Sequence, residues 1–228
     1  MRKILLPLAA IVLFTMNISA QKQFTGIIKI KTDIVGENLD ASVKAEYPVT
    51  SEMKVLNNKY RRDINSGGLG ITFIGDGDNN KNYLILDITA MAMGIYYREI
   101  PSNEKIKYDF KHDKGDTKTI LGFACYKVTC TTTNLETDET SEIIIYISDD
   151  FLPDFQSMNY PGLKGFPLYT TTKGENDGAE YTAIEEVIEI KADKKVKPAN
   201  FLLPAAAVSF DQMPDEVKAM LGMDGDDD

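Results

Sequence analysis

Lys105-Ile106-Lys107-Tyr108-Asp109-Phe110-Lys111 decides the fold class. Ile106, Tyr108 and Phe110 alternate with charged residues, the two-residue period of a strand that is apolar on one face and wet on the other. That alternation belongs to antiparallel sheets, because strands of a parallel sheet are covered on both faces.

Reading outward from this stretch, the chain keeps the same character. Upstream, Phe24 to Thr32 alternates Ile28 and Ile30 with Lys29 and Lys31. Residues 35–50 are polar and read as a long loop or short helix. Glu52 to Ile64 reads as two strands around Asn57-Asn58, a pair that tolerates positive φ. Ser66-Gly67-Gly68 is a turn, Ile71 to Ile74 a strand, and Gly75 to Asn80 strong turn chemistry. Tyr83 to Ile88 and Gly94 to Ile100 are two more strands. Downstream, a turn is expected at Gly115, followed by Lys118–Phe123 and Cys125–Thr132 as one long strand with Gly122 as a bulge. Ile143 to Ile147 is a nearly continuous apolar run, so both of its faces are expected to be covered. Ser148-Asp149-Asp150 can cap a helical turn, Tyr160-Pro161-Gly162 breaks the chain, and Phe166 to Thr171 is extended. Tyr181 to Lys191 closes the set, with Ile184, Ile188 and Ile190 expected on one face and Glu185 and Glu189 on the other. This gives about ten short strands and no alternation with long helices, which argues against a parallel α/β sheet.

The ends differ in kind. Arg2 and Lys3 precede an apolar run from Ile4 to Met16, and Ile18-Ser19-Ala20 offers small residues for cleavage before Gln21. Residues 1–20 therefore read as a cleaved signal peptide, because the run falls short of the roughly 20 residues that span a bilayer. The protein is expected to be periplasmic or secreted and not membrane-spanning. Residues 21–212 read as a single β-rich domain, 213–222 as a short terminal helix with Val217, Met220 and Leu221 on one face, and 223–228 as an acidic tail.

Composition narrows the function classes. Hydrophobic residues at 43% and charged residues at 26% exclude wholesale disorder. A formal charge of −10 argues against nucleic acid, since no basic surface would replace phosphate counterions. Cys125 and Cys130 stand five apart. On a strand they face opposite sides about 16 Å apart, so two separate thiols are expected. No zinc spacing is present. His112, the single histidine, falls in a polar stretch read as a solvated turn. Asp76, Asp78, Asn80 and Asn82 alternate as in a calcium loop, but Lys81 stands where that loop needs glycine and Asp87 where it needs glutamate. Glu185/Glu186 and Asp149/Asp150 are sequence neighbours and read as solvated surface. No catalytic residue, metal site or cofactor is assigned. An enzyme, the third and least favoured reading, would need a buried cluster of Asp, Glu, Tyr and Arg around a polar cleft, and Arg61, Arg62 and Arg98 are the residues to inspect first for it.

Phe24-Thr25-Gly26-Ile27-Ile28, Ile120 to Val128, and Leu163 to Leu168 shortly after the corner from Ser148 to Pro153 together resemble an uncharacterised family. It consists of exported Gram-negative proteins, a domain of unknown function, related in fold to the lipoprotein carriers LolA and LolB. The resemblance implies an antiparallel open half-barrel with a few short helices against its concave side, and acyl chains or another apolar ligand bound there. It carries over no site residue, and the chain lacks both a lipid-attachment cysteine and a long helix between its first strands.

Methionines suit adaptable apolar surfaces. Met91, Met93, Ile95, Tyr97, Ile106, Tyr108, Phe110 and Phe166 are therefore the candidate lining of the hollow, with core packing as the other reading. The expected function is non-catalytic binding of a lipid-like ligand. The alternative is an interaction or scaffold role with an envelope protein partner, using strand edges and the loop at 35–50.

Overall fold

The computed structural model describes residues 24–221, apart from 42–44, 46, 67, 102–104, 152–159 and 177. The signal segment and the acidic tail lie outside the described residues.

Among the described residues, twelve strands form one open sheet. β1 (Thr25–Val35), β2 (Val49–Leu56), β3 (Lys59–Ser66), β4 (Leu69–Asp76), β5 (Lys81–Asp87) and β6 (Ile95–Ile100) make one meander. β7 (Ile106–Ile120), β8 (Phe123–Asn134), β9 (Thr140–Ile147), β10 (Tyr169–Asn176) and β11 (Ala179–Ala192) make a second. Pairing of β1 with β11 joins them, and β12 (Ala207–Ser209) adds to β6 as the one parallel pair among the described residues. The order is therefore β12-β6-β5-β4-β3-β2-β1-β11-β10-β9-β8-β7.

This order forces curvature. β6 and β7 are consecutive in the chain but ten steps apart in the sheet. A flat sheet would separate them by about 48 Å. The six steps from Ile100 to Ile106 reach at most about 22 Å. Only a sheet that curls back on itself satisfies both, which is the open half-barrel the family resemblance implied.

Cross-strand register assigns the faces. One face carries Ile28, Ile30, Met53, Arg62, Phe73, Leu84 and Tyr96 through paired positions. It continues through Val187, Thr170, Ile145, Val128, Cys130 and Phe110. We call it the Arg62 face. The crossover from β9 to β10 covers one part of it, where Tyr160 and Leu163 pack on Val128, Cys130, Ile145 and Ile147. The C-terminal helix, Asp215–Met220, covers another: Val217 and Met213 bury Ile88 and Tyr96. On the opposite face, Val196 and Phe201 cap Ile74 and Ile85.

Several local expectations change. The turn expected at Gly115 lies instead at Leu121-Gly122, where both residues adopt positive φ (51° and 86°) between Ile120 and Phe123. Such two-residue hairpins need left-handed backbone at both positions, and Gly122 supplies one without steric cost. Gly115 sits in a bulge between Asp113 and Thr117, so His112 is a strand residue paired with Val128, not a turn residue. In β11, Ile30 pairs with Val187 and Lys29 with Glu189, leaving Ile188 as an extra residue. One inserted residue reverses the alternation. Val187 is therefore buried and Ile188 exposed, while Glu185 turns toward the Arg62 face. Cys125 and Cys130 are free, buried and on opposite faces, as the strand geometry requires. Ile145, Tyr146 and Ile147 are all buried, so β9 is covered on both faces.

Candidate functional site

β3 alternates Tyr60, Arg62 and Ile64 on its buried side. Placing an arginine in that row puts a full charge where only 8% of the residue reaches solvent. A buried guanidinium needs several partners to offset lost hydration, and here they come from three neighbouring strands. Arg62 Nη2 donates to Glu185 Oε1 on β11 at 2.6 Å. The same nitrogen lies 3.4 Å from Thr32 Oγ1 on β1. Nε donates to Ser51 Oγ on β2 at 3.0 Å, and Ser51 passes its own proton toward the Ile30 carbonyl at 3.4 Å. Among the described residues, Nη1 has no hydrogen-bond partner.

The ion pair borders a small cavity of about 40 Å³, lined by Ile30, Met53, Phe166, Pro167, Leu168, Thr170, Val187 and Tyr160 together with Arg62 and Glu185. This volume holds water-sized guests, since one water needs about 10–15 Å³ of such space. Burial pushes the Tyr160 hydroxyl up to about 12; the negative charge of Glu185 adds to this and the hydrogen bond with Thr170 opposes it. The two partners of the ion pair are unequally covered. The Arg62 side chain is 10% exposed and that of Glu185 30%.

A cross-strand row leads away from the pair. Met53, Arg62, Phe73, Leu84 and Arg98 are successive partners across β2 to β6. Phe73 and Leu84 remain partly exposed, as do Ile64 and Ile71 beside them. Arg98, at the far end, lies with its guanidinium carbon 5.5 Å from the centroid of the Phe210 ring.

The eight expected lining residues are not gathered here. Phe166 alone lines the cavity. Ile95 and Tyr97 pack on the opposite face with Ile74 and Phe201. Met93 joins the cluster under the C-terminal helix, and Met91 is exposed in a 3₁₀ turn. Tyr108 and Phe110 pack against Cys130 and Tyr160, and Ile106 sits on the same strand face, paired with Asn134. Tyr97 and Tyr108 thus lie on opposite faces and cannot line one hollow. Glu185, read as solvated, is instead the partner of Arg62. The sequence did contain a signal for this site: an arginine at the centre of an apolar row in β3.

Elsewhere, Lys59 bridges Asp76 and Asp78 in the turn considered for calcium. Among the described residues no group of three or more His, Cys, Asp or Glu is arranged to hold a metal, and no helix is long and apolar enough to cross a membrane. A wide, open, polar cleft of about 830 Å³ lies between Val35–Asn38 and the tips of β10 and β11. Burial pushes the Cys130 thiol up to about 11, with Asp109 adding to it.

No family model matches the chain, and no curated protein matches it. Among solved structures it is similar to a DUF1329 family protein from Desulfovibrio piger ATCC 29098. The identity is 11% and the TM-score 0.38, over 81% of this chain and 92% of that one.

Proposed function

We propose that this chain is a non-catalytic binding protein, exported across the inner membrane, that holds a lipid-like ligand on its Arg62 face. One observation carries the reading. Between the β9–β10 crossover and the C-terminal helix, Phe73, Leu84, Ile64 and Ile71 form a contiguous apolar strip that stays partly exposed beside the buried Met53, Arg62 and Leu86 of the same face. Apolar side chains on a curled sheet are stabilised by whatever removes them from water, each buried methylene contributing about 0.8 kcal/mol. The cavity is too small for an acyl chain, so a tail lies along the strip outside it. The export reading rests on residues 1–20. The relation in fold to the LolA and LolB carriers belongs to this same reading.

Solvent extraction of the purified protein with mass spectrometry, and titration with a fluorescent fatty acid, test it. A co-purifying apolar molecule or saturable uptake is expected. Neither would contradict the reading.

A second reading, docking of an envelope protein, is favoured by β7, which ends the sheet with 15 residues and whose outer edge has no strand partner among the described residues. Its lysines at 107, 111, 114 and 118 work against strand addition, as charges on natural sheet edges do.

A further inference from the structure

The ion pair at the centre of the Arg62 face is asymmetric, and the asymmetry assigns roles. Arg62 is fixed: it is nine-tenths buried, and Ser51, Thr32 and Glu185 hold it from three different strands. The Glu185 side chain is 30% exposed to water and that of Arg62 10%. Its other hydrogen bond, from Thr32 Oγ1, is long at 3.3 Å. If one member of the pair leaves, it is the glutamate, which can turn into water while the arginine cannot.

A buried guanidinium without an anion is costly, so whatever displaces Glu185 has to bring a negative charge. A ligand that supplies one exchanges one buried ion pair for another and leaves the charge balance of the site unchanged. The surroundings suit an oxyanion. Nη1 of Arg62 is unused among the described residues, and the hydroxyls of Ser51, Thr32, Thr170 and Tyr160 lie around the pair. A planar guanidinium binds a carboxylate or phosphate through two parallel hydrogen bonds, a geometry the single Glu185 contact does not use. The row beyond Arg62 is apolar at Phe73 and Leu84.

We infer that the ligand is an anionic amphiphile whose acidic headgroup replaces Glu185 on Arg62 while its chain runs over Phe73 and Leu84. Glu185 is then an internal surrogate for the headgroup, which keeps the empty site neutral and sets the affinity by competition. This rests on the binding reading proposed above and adds the charge of the ligand to it.

Dodecanoate and dodecanol, which differ only at the headgroup, test the inference by isothermal titration calorimetry below their aggregation limits. Three proteins are compared: the natural chain, Glu185→Gln, and the double variant Arg62→Met/Glu185→Leu. The double variant removes the pair as a unit and preserves the fold where a single loss of Arg62 would strand a carboxylate; circular dichroism checks all three. The natural chain should prefer dodecanoate. Glu185→Gln should bind dodecanoate about tenfold or more tightly, the lower range for a hydrogen bond to a charged group, with dodecanol unchanged. The double variant should bind both alike. Equal binding of acid and alcohol by the natural chain, or no gain in Glu185→Gln, would overturn the inference and leave the apolar reading standing. Binding of neither compound by any of the three would overturn both.

Discussion

Two glycines offer a controlled test of how the sheet is packed. Gly75 is the cross-strand partner of Tyr60, and Gly174 that of Tyr181. In both pairs the tyrosine ring lies over the bare glycine. A Cβ at residue 75 would meet Tyr60 Cε1 at 2.0 Å, and one at residue 174 would meet Tyr181 Cζ at 2.4 Å. Neither glycine has a positive φ, so the effect of alanine is steric. The difference lies in what the ring can do. Ordinary contact begins near 3.4 Å, so the Tyr60 ring would have to withdraw by 3.4 − 2.0 = 1.4 Å. It is 5% exposed and packed in the main core with Val55 and Met53. Overpacking of this kind costs about 1–3 kcal/mol, offset in part by about 0.5–1 kcal/mol from replacing glycine in a strand. Tyr181 is partly exposed and borders the open cleft, so its ring can swing into water. Gly75→Ala should therefore lose about 1–2 kcal/mol, and Gly174→Ala should stay within about 0.5 kcal/mol of the natural protein. Urea unfolding followed by far-ultraviolet circular dichroism reads both, with unchanged slopes and a lower midpoint for Gly75→Ala alone. Equal midpoints for the two variants would refute the packing argument.

Three further outcomes follow from the same structure. Leu168, fully buried beside the candidate site, should cost about 2–5 kcal/mol when replaced by alanine, measured by the same unfolding curves. Tyr160 holds its proton more tightly folded, at about 12, than unfolded, near 10. Its contribution is complete below about pH 10 and is lost as pH rises through about 12, so Tyr160→Phe should flatten the fall in stability across that window. Cys130, raised to about 11, is about one part in a thousand thiolate at pH 8. Ellman's reagent should react slowly with native protein and release two thiols promptly in denaturant; fast reaction of the native protein would contradict the burial of both cysteines.

What the sequence revealed and what it hid have physical reasons. Alternation at Ile106, Tyr108 and Phe110 correctly placed a half-buried strand, because period two is local information. So did Asn57-Asn58, a turn pair whose φ of 55° at Asn57 is what such residues tolerate. The hairpin at Leu121-Gly122 was missed because leucine is a poor signal for left-handed backbone, and nearby Gly115 drew the expected turn away from it. The bulge at Ile188 was invisible: one extra residue follows from pairing with β1, about 160 positions away, not from β11 itself. The scattering of the lining residues has the same origin. Periodicity says that Tyr97 and Tyr108 each have a buried face, but only strand order says that those faces are opposite. Arg62 was noticed and Glu185 dismissed, because the contact that unites them spans 123 residues.

The most direct test of the central claim is carbon-13 methyl spectroscopy of the methionines during titration with dodecanoate. Met53 lines the cavity beside Arg62, Met213 lies under the C-terminal helix, and Met91 is exposed. A ligand on the Arg62 face should move the Met53 resonance along a saturable curve and leave Met91 in place. A saturating ligand that leaves Met53 unmoved would contradict the account.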